Sequence, residues 1–128
     1  MRIFRNKPFT RFARKARLDD TDLRRAVADI GKGLIDADLG GGVIKQRVAR
    51  KGGGKSGGFR VLVLLKVGER AFFVHGFAKN DRDNIRDDEL AALRRLAAEL
   101  LNYDEAALAK SVAAGVLTEV TGDEQAIS

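Results

Sequence analysis

The chain has no cysteine and no tryptophan, and only one each of proline, histidine, tyrosine and methionine. Without cysteine there are no disulfides and no thiolate metal sites, and a cytoplasmic compartment is the default expectation. A single histidine cannot build a histidine metal site. Nor do the carboxylates offer ligand spacing: Asp81, Asp83, Asp87 and Asp88 lack the central glycine and the in-register closing glutamate of a calcium loop. The expectation is no metal and no cofactor. No apolar run approaches the roughly 18 residues that a membrane-spanning helix needs, so no membrane partner is expected. The length of 128 residues suits one domain, 1–128, with a single core.

Positive charge, by contrast, is in excess and unevenly spread. Residues 1–82 hold 20 Lys/Arg and 8 Asp/Glu, whereas residues 83–128 hold 4 and 10. A basic body with an acidic end suits a chain whose body meets a polyanion, although a solvated basic surface gives the same totals. The first 17 residues carry seven Lys or Arg and no acid, a composition shared with transit peptides. The placing of Ile3, Phe4, Phe9, Phe12, Ala13 and Ala16 assigns them instead to structured elements.

Residues 1–6 read as a first strand with Ile3 facing inward. Pro8 fits the first turn of a helix, where its missing N–H costs little. Phe9, Phe12, Ala13 and Ala16 then fall at helical spacing, with Arg11, Arg14 and Lys15 turned away. Asp19 or Asp20 caps a second helix whose apolar face is Leu23, Ala26, Val27, Ile30 and Leu34. Gly31 and Gly33 weaken its far end. After Gly40-Gly41-Gly42, residues 43–49 alternate, with Val43, Lys45 and Arg47 on one face and Ile44, Gln46 and Val48 on the other. In 59–66 one face is Phe59, Val61, Val63 and Leu65, and the other is Arg60, Leu62, Leu64 and Lys66. Residues 70–78 are apolar on both faces, as a central strand is. A helix from Asp87 carries the stripe Leu90, Leu93, Ala97, Leu100 and Leu101, and a second helical piece, 105–114, stops at Gly115. The fold class is therefore α+β: an antiparallel sheet with two N-terminal helices packed on one face, the other face partly open, and a C-terminal helical extension over about 87–115.

The stretch from Ala49 to Asn84 organises this pattern. It holds a loop with five glycines between Gly52 and Gly58, flanked by Arg50, Lys51, Lys55 and Arg60. Two apolar strands follow, and then a polar exit with Lys79, Asn80 and Arg82. Strands that bring a basic loop beside a basic exit create an anion site, and a nucleic-acid backbone suits it. Gly54-Lys55-Ser56 looks like the end of a nucleotide-binding P-loop. However, Ala49 stands where that motif has glycine, and a strand follows where a helix should, so no nucleotide cofactor is expected. His75 lies midway along an apolar strand, where a lone histidine is more often structural than a general base.

The run GGGKSGGFRVLVLLK, then AFFVHGFAKNDRDNI, then an amphipathic helix resembles the RelE-type toxins of type II toxin–antitoxin pairs in the RelE/ParE superfamily. More narrowly it is similar to the HigB-like branch, whose pattern approximates GKSGG-[FY]-R-V followed by FF-V-Y-G-FAKN-x-x-x-NI. The branch has tyrosine where this chain has His75. The resemblance covers nearly the whole chain and implies a RelE-like (microbial RNase-like) fold. It also implies a metal-independent endoribonuclease that cuts mRNA on the ribosome and is restrained by a cognate antitoxin, a small helix-turn-helix protein. Other members of the superfamily poison DNA gyrase, so a gyrase-directed toxin, or a member that only binds RNA or its antitoxin, stays open as the alternative.

That chemistry assigns roles. When a 2′-hydroxyl attacks the adjacent phosphate, the protein must orient the strand, neutralise phosphorane oxygens and move two protons. Arginine matches phosphate geometry, and a lysine crowded by other cations becomes a usable acid or base. The catalytic candidates are Arg60, Lys79 and Lys55. Arg47, Arg50, Lys51, Asn80 and Arg82 are assigned to RNA binding, and His75 is left between a catalytic and a structural role.

Overall fold

The computed structural model describes residues 1–49, 58–79 and 84–120. Strand β1, Arg2–Asn6, runs directly into helix α1, Lys7–Ala16. The Asn6 side chain accepts from the Phe9 N–H at 2.9 Å, and Pro8 sits in the first turn, so the start of α1 is capped by its own sequence. Helix α2, Asp20–Gly31, begins with a reciprocal cap: Asp22 N–H donates to Asp19 Oδ1 at 3.0 Å and Asp19 N–H to Asp22 Oδ2 at 2.9 Å. There follow β2 (Ala37–Asp38), β3 (Val43–Val48), β4 (Phe59–Lys66), β5 (Arg70–Ala78), α3 (Asp87–Leu100), α4 (Glu105–Ala113) and β6 (Leu117–Glu119). Every expected element is present, and two short edge strands, β2 and β6, had no legible signal at two and three residues.

The six strands lie in the order β2-β3-β4-β5-β1-β6. The expected antiparallel sheet holds throughout except that β1 pairs parallel with β5, Ile3 opposite Ala71 and Phe4 opposite Phe72. Parallel neighbours need a long crossover, and here it comprises both N-terminal helices and three strands.

Each face of the sheet has its own core. Phe9, Ala13, Leu23, Ala26, Val27 and Ile30 of α1 and α2 pack on Ile44, Val48, Phe59, Val61, Val63 and Phe73. On the opposite face Val43, Leu62, Leu64, Phe72, Val74 and Phe77 pack against Ala97 and Leu100 of α3 and Leu108 of α4. The expectation of a partly open second face is corrected in this respect: the C-terminal helices cover it over Leu62 and Leu64. Leu34 is also corrected, being 60% exposed, because α2 stops at Gly31 before reaching it. Leu62, Leu64, Val61 and Val63 are wholly buried, each stabilising the fold by about 1.5–3 kcal/mol relative to exposure.

One irregularity positions the functional face. Leu62 pairs with His75 while Val63 pairs with Phe73, so β5 carries one extra residue at Val74. Beyond this bulge the alternation is shifted: Gly76 and Ala78 oppose Val61 and Phe59, on the side of α1, whereas His75 and Phe77 oppose Leu62 and Arg60. A bulge re-aims the side chains that follow it, and here it turns His75 and Phe77 towards the same face as Arg60. Gly76 is required on the other face, since a Cβ there would come within 2.9 Å of Phe12 Cζ and closer to two other ring atoms.

Candidate functional site

Arg47 of β3 and Arg60 of β4 are directly opposite in the antiparallel register. Like charges in that position repel, so sheet stability alone does not explain them. Lys45, two residues earlier on β3, shares their face. Its Nζ lies 3.6 Å from Asp36 Oδ2 and donates to Asn84 Oδ1 at 3.3 Å. Asp36 Oδ2 also lies 3.4 Å from Arg60 Nε. Among the described residues, these three cations meet one carboxylate in Asp36, which leaves the group positive.

Arg60 is buried, with 8% residual exposure. Exposed ion pairs contribute about 0–1 kcal/mol, and breaking a buried one costs about 3–5 kcal/mol. With Arg60 at 10% and Asp36 at 26% side-chain exposure, their pair falls between those limits. A cavity of about 290 Å³ adjoins these residues, lined by Asp22, Arg25 and Asp29 of α2 and by Arg47, Gly58 and Arg60 of the sheet.

His75 lies on the same face, half-buried, with Nε2 3.7 Å from Glu89 Oε2 in the first turn of α3. Glu89 Oε1 also accepts from the Arg86 N–H at 3.0 Å, so one carboxylate both closes the start of α3 and faces the histidine. The structural expectation for His75 needs adjusting: it is not sealed in the core. Its ring stands 6.2 Å from that of Phe77. Lys79 follows β5 directly and is exposed, and its N–H donates to Gly58 O at 3.1 Å, which ties the end of β5 to the start of β4 beside Arg60.

Of the residues assigned from sequence, the structure thus brings together Arg47, Arg60, His75 and Lys79 around the ends of β3, β4 and β5. Arg50, Lys51, Lys55, Asn80 and Arg82 lie outside the described residues. Sequence reasoning missed Lys45, Asp36 and Glu89. Alternation already placed Lys45 on the face of Arg47, so that residue was findable. Asp36 and Glu89 reach the site only through tertiary packing and had no local signal.

Among the described residues no helix is long and apolar enough to cross a membrane. No curated protein matches the chain. A family model described as "RelE toxin of RelE / RelB toxin-antitoxin system" matches residues 1–120. With a mixed helix-and-sheet architecture, a positive patch at the strand ends and a match over nearly its full length, the chain belongs to the RelE family of toxins of toxin–antitoxin systems.

Proposed function

We propose that this toxin is a metal-independent endoribonuclease that cuts mRNA on the ribosome, with the RNA's own 2′-hydroxyl attacking the adjacent phosphate. The observation that supports this reading best is the opposed pair Arg47 and Arg60, with Lys45 beside them. Cations held together against their mutual repulsion are suited to a ligand that supplies negative charge.

In this reading Arg60 neutralises the developing phosphorane oxygens, because its fork matches two of them. Lys79, beside it, moves a proton, and Lys55 is assigned to the same step. Arg47, with Arg50, Lys51, Asn80 and Arg82, holds the strand. His75 contributes an aromatic surface next to Phe77, where the HigB-like pattern has tyrosine. We assign 1–128 to one toxin domain, and its partner is a helix-turn-helix antitoxin that covers the positive patch.

The test is the chemistry of the ends. A translating extract given the purified chain should yield mRNA fragments with 2′,3′-cyclic phosphate and 5′-hydroxyl termini, cut within codons. Cleavage should persist when pre-formed ribosome complexes are fixed and then treated with excess EDTA. Fragments ending in 3′-hydroxyl and 5′-phosphate would contradict the 2′-hydroxyl mechanism.

A further inference from the structure

An acidic side chain sits among the cations of a site that is meant for an anion, and its placement is not casual. Asp36 belongs to the segment between α2 and β2, which has no regular structure of its own at residues 34–36. A buried glutamine on β3 anchors that segment. Gln46 Oε1 accepts from the Asp36 N–H at 3.1 Å, and Gln46 Nε2 donates to Leu34 O at 2.7 Å. Both ends of the Gln46 amide are therefore used on the backbone on either side of Ile35, and Gln46 itself is 4% exposed. The clamp delivers the Asp36 carboxylate to two cations at once, with Oδ2 3.4 Å from Arg60 Nε and 3.6 Å from Lys45 Nζ.

We propose that Asp36 is a positioning residue: anchored by Gln46, it holds the Arg60 guanidinium in the orientation that receives the scissile phosphate. This rests on the nuclease reading above for its consequence in catalysis. The geometry favours positioning over neutralisation. The acid's nearest approach to Arg60 is at Nε, which leaves the terminal edge carrying Nη1 and Nη2 to meet two phosphate oxygens. An arginine has many rotamers, and a phosphate met by a wandering fork must first pay the ordering entropy. Fixing the fork in advance removes that cost. The carboxylate, with its single charge, still leaves Lys45, Arg47 and Arg60 as a net positive group. Lys45 completes the arrangement by joining Asp36 to Asn84, where the chain enters the segment before α3.

The test compares the full-length chain with Asp36→Asn, which keeps the shape and removes the charge. Positioning predicts that kcat for mRNA cleavage falls by about tenfold to 100-fold, the scale of a misplaced catalytic group. KM should stay level or fall, since a negative charge has left the RNA site. Asp36→Glu should recover part of kcat. On an Arg60→Lys background, Asp36→Asn should cause no further loss, because the two act as one unit.

The Arg60 Nε–Hε resonance supplies a readout that does not depend on cleavage. It should be displaced and broadened in Asp36→Asn relative to the unsubstituted protein. An unmoved resonance, or an unchanged or raised kcat in Asp36→Asn, would overturn the proposal. Failure of the unsubstituted chain to cut mRNA at all would overturn the nuclease reading instead, while the resonance still decides whether Asp36 holds Arg60.

Discussion

Arg47 and Arg60 stand directly opposite each other on adjacent antiparallel strands, one exposed and the other buried against Asp36. Cross-strand pairs matter by about 0.2–1 kcal/mol, and like charges contribute with the wrong sign. Replacing Arg47 with threonine, a good strand former, should therefore leave the thermal midpoint level or slightly raised. The same change should weaken RNA binding and reduce the slope of log K against log salt by about 0.7, the increment for one phosphate contact on a single strand. Titrations of a short RNA at several salt concentrations read both quantities. A lowered midpoint with unchanged RNA affinity would assign Arg47 to the sheet.

Arg60→Ala should slow cleavage by roughly 10²-fold or more, as for removal of one transition-state donor. Because Arg60 is buried, this variant also loses stability, so Arg60→Lys is the cleaner probe. It retains the charge and loses the fork, and it should stay folded while remaining slow. Lys79→Ala, at an exposed position, should change stability by less than ~0.5 kcal/mol and yet cost ~10²–10⁴-fold in rate if Lys79 moves a proton. His75→Tyr should keep most activity. If Arg60→Lys and Lys79→Ala cleave normally and His75→Tyr is dead, the histidine facing Glu89 is the general base.

Gly76 lies directly under the ring of Phe12, which itself packs edge-on against Phe59 at 5.6 Å. Gly76→Ala should displace that ring and cost about 1–3 kcal/mol, the usual effect of overpacking a filled site. A chemical denaturation midpoint measures it. A neutral result would mean that α1 shifts away from β5 without penalty.

The termini of the fold are joined by charge. Arg2 bonds Glu119 and Glu105, and the buried Arg70 donates to Glu105 at 2.6 Å and to Tyr103 O at 2.6 Å. Hydrogen bonds from Arg70 to Glu105 and from Arg2 to Glu119 hold both carboxyls below their ordinary value of 4.5. A carboxyl depressed in the folded state contributes stability above its unfolded pKa and loses it as pH falls through the lower folded value. The thermal midpoint should therefore be flat above about pH 5 and fall below 4.5, and a Glu105→Gln, Glu119→Gln variant should show a shallower fall. An identical acid profile would show that other carboxylates set it.

These examples mark what the sequence could reveal. Period and capping located every long element, since Pro8, Asp19 and the alternation of Phe59 to Leu65 act locally. The helices on the second face were visible as stripes, but their docking over Leu62 and Leu64 is a long-range event with no local trace. The bulge at Val74 is the main instance. Without it, strict alternation would set His75 and Phe77 on the side of α1, away from Arg60. Asp36 was hidden for a similar reason, because a loop aspartate reads as solvated until Gln46 is seen to anchor its backbone.

Membership in a toxin–antitoxin family implies a partner, and we expect the neighbouring reading frame to encode a small helix-turn-helix protein. Expression of this chain alone should arrest growth, and co-expression of the neighbour should restore it. A harmless chain with no such neighbour would count against an active toxin.

The central claim is that the patch formed by Arg47, Arg60 and Lys79 acts on mRNA, and it is tested most directly by assaying mRNA integrity and gyrase supercoiling in parallel. We expect the full-length chain to cut mRNA within codons in a translating extract, Arg60→Lys to cut it far more slowly, and supercoiling of a plasmid to proceed unchanged. Intact mRNA together with blocked supercoiling would contradict the account and make this protein a gyrase-directed toxin on the same fold.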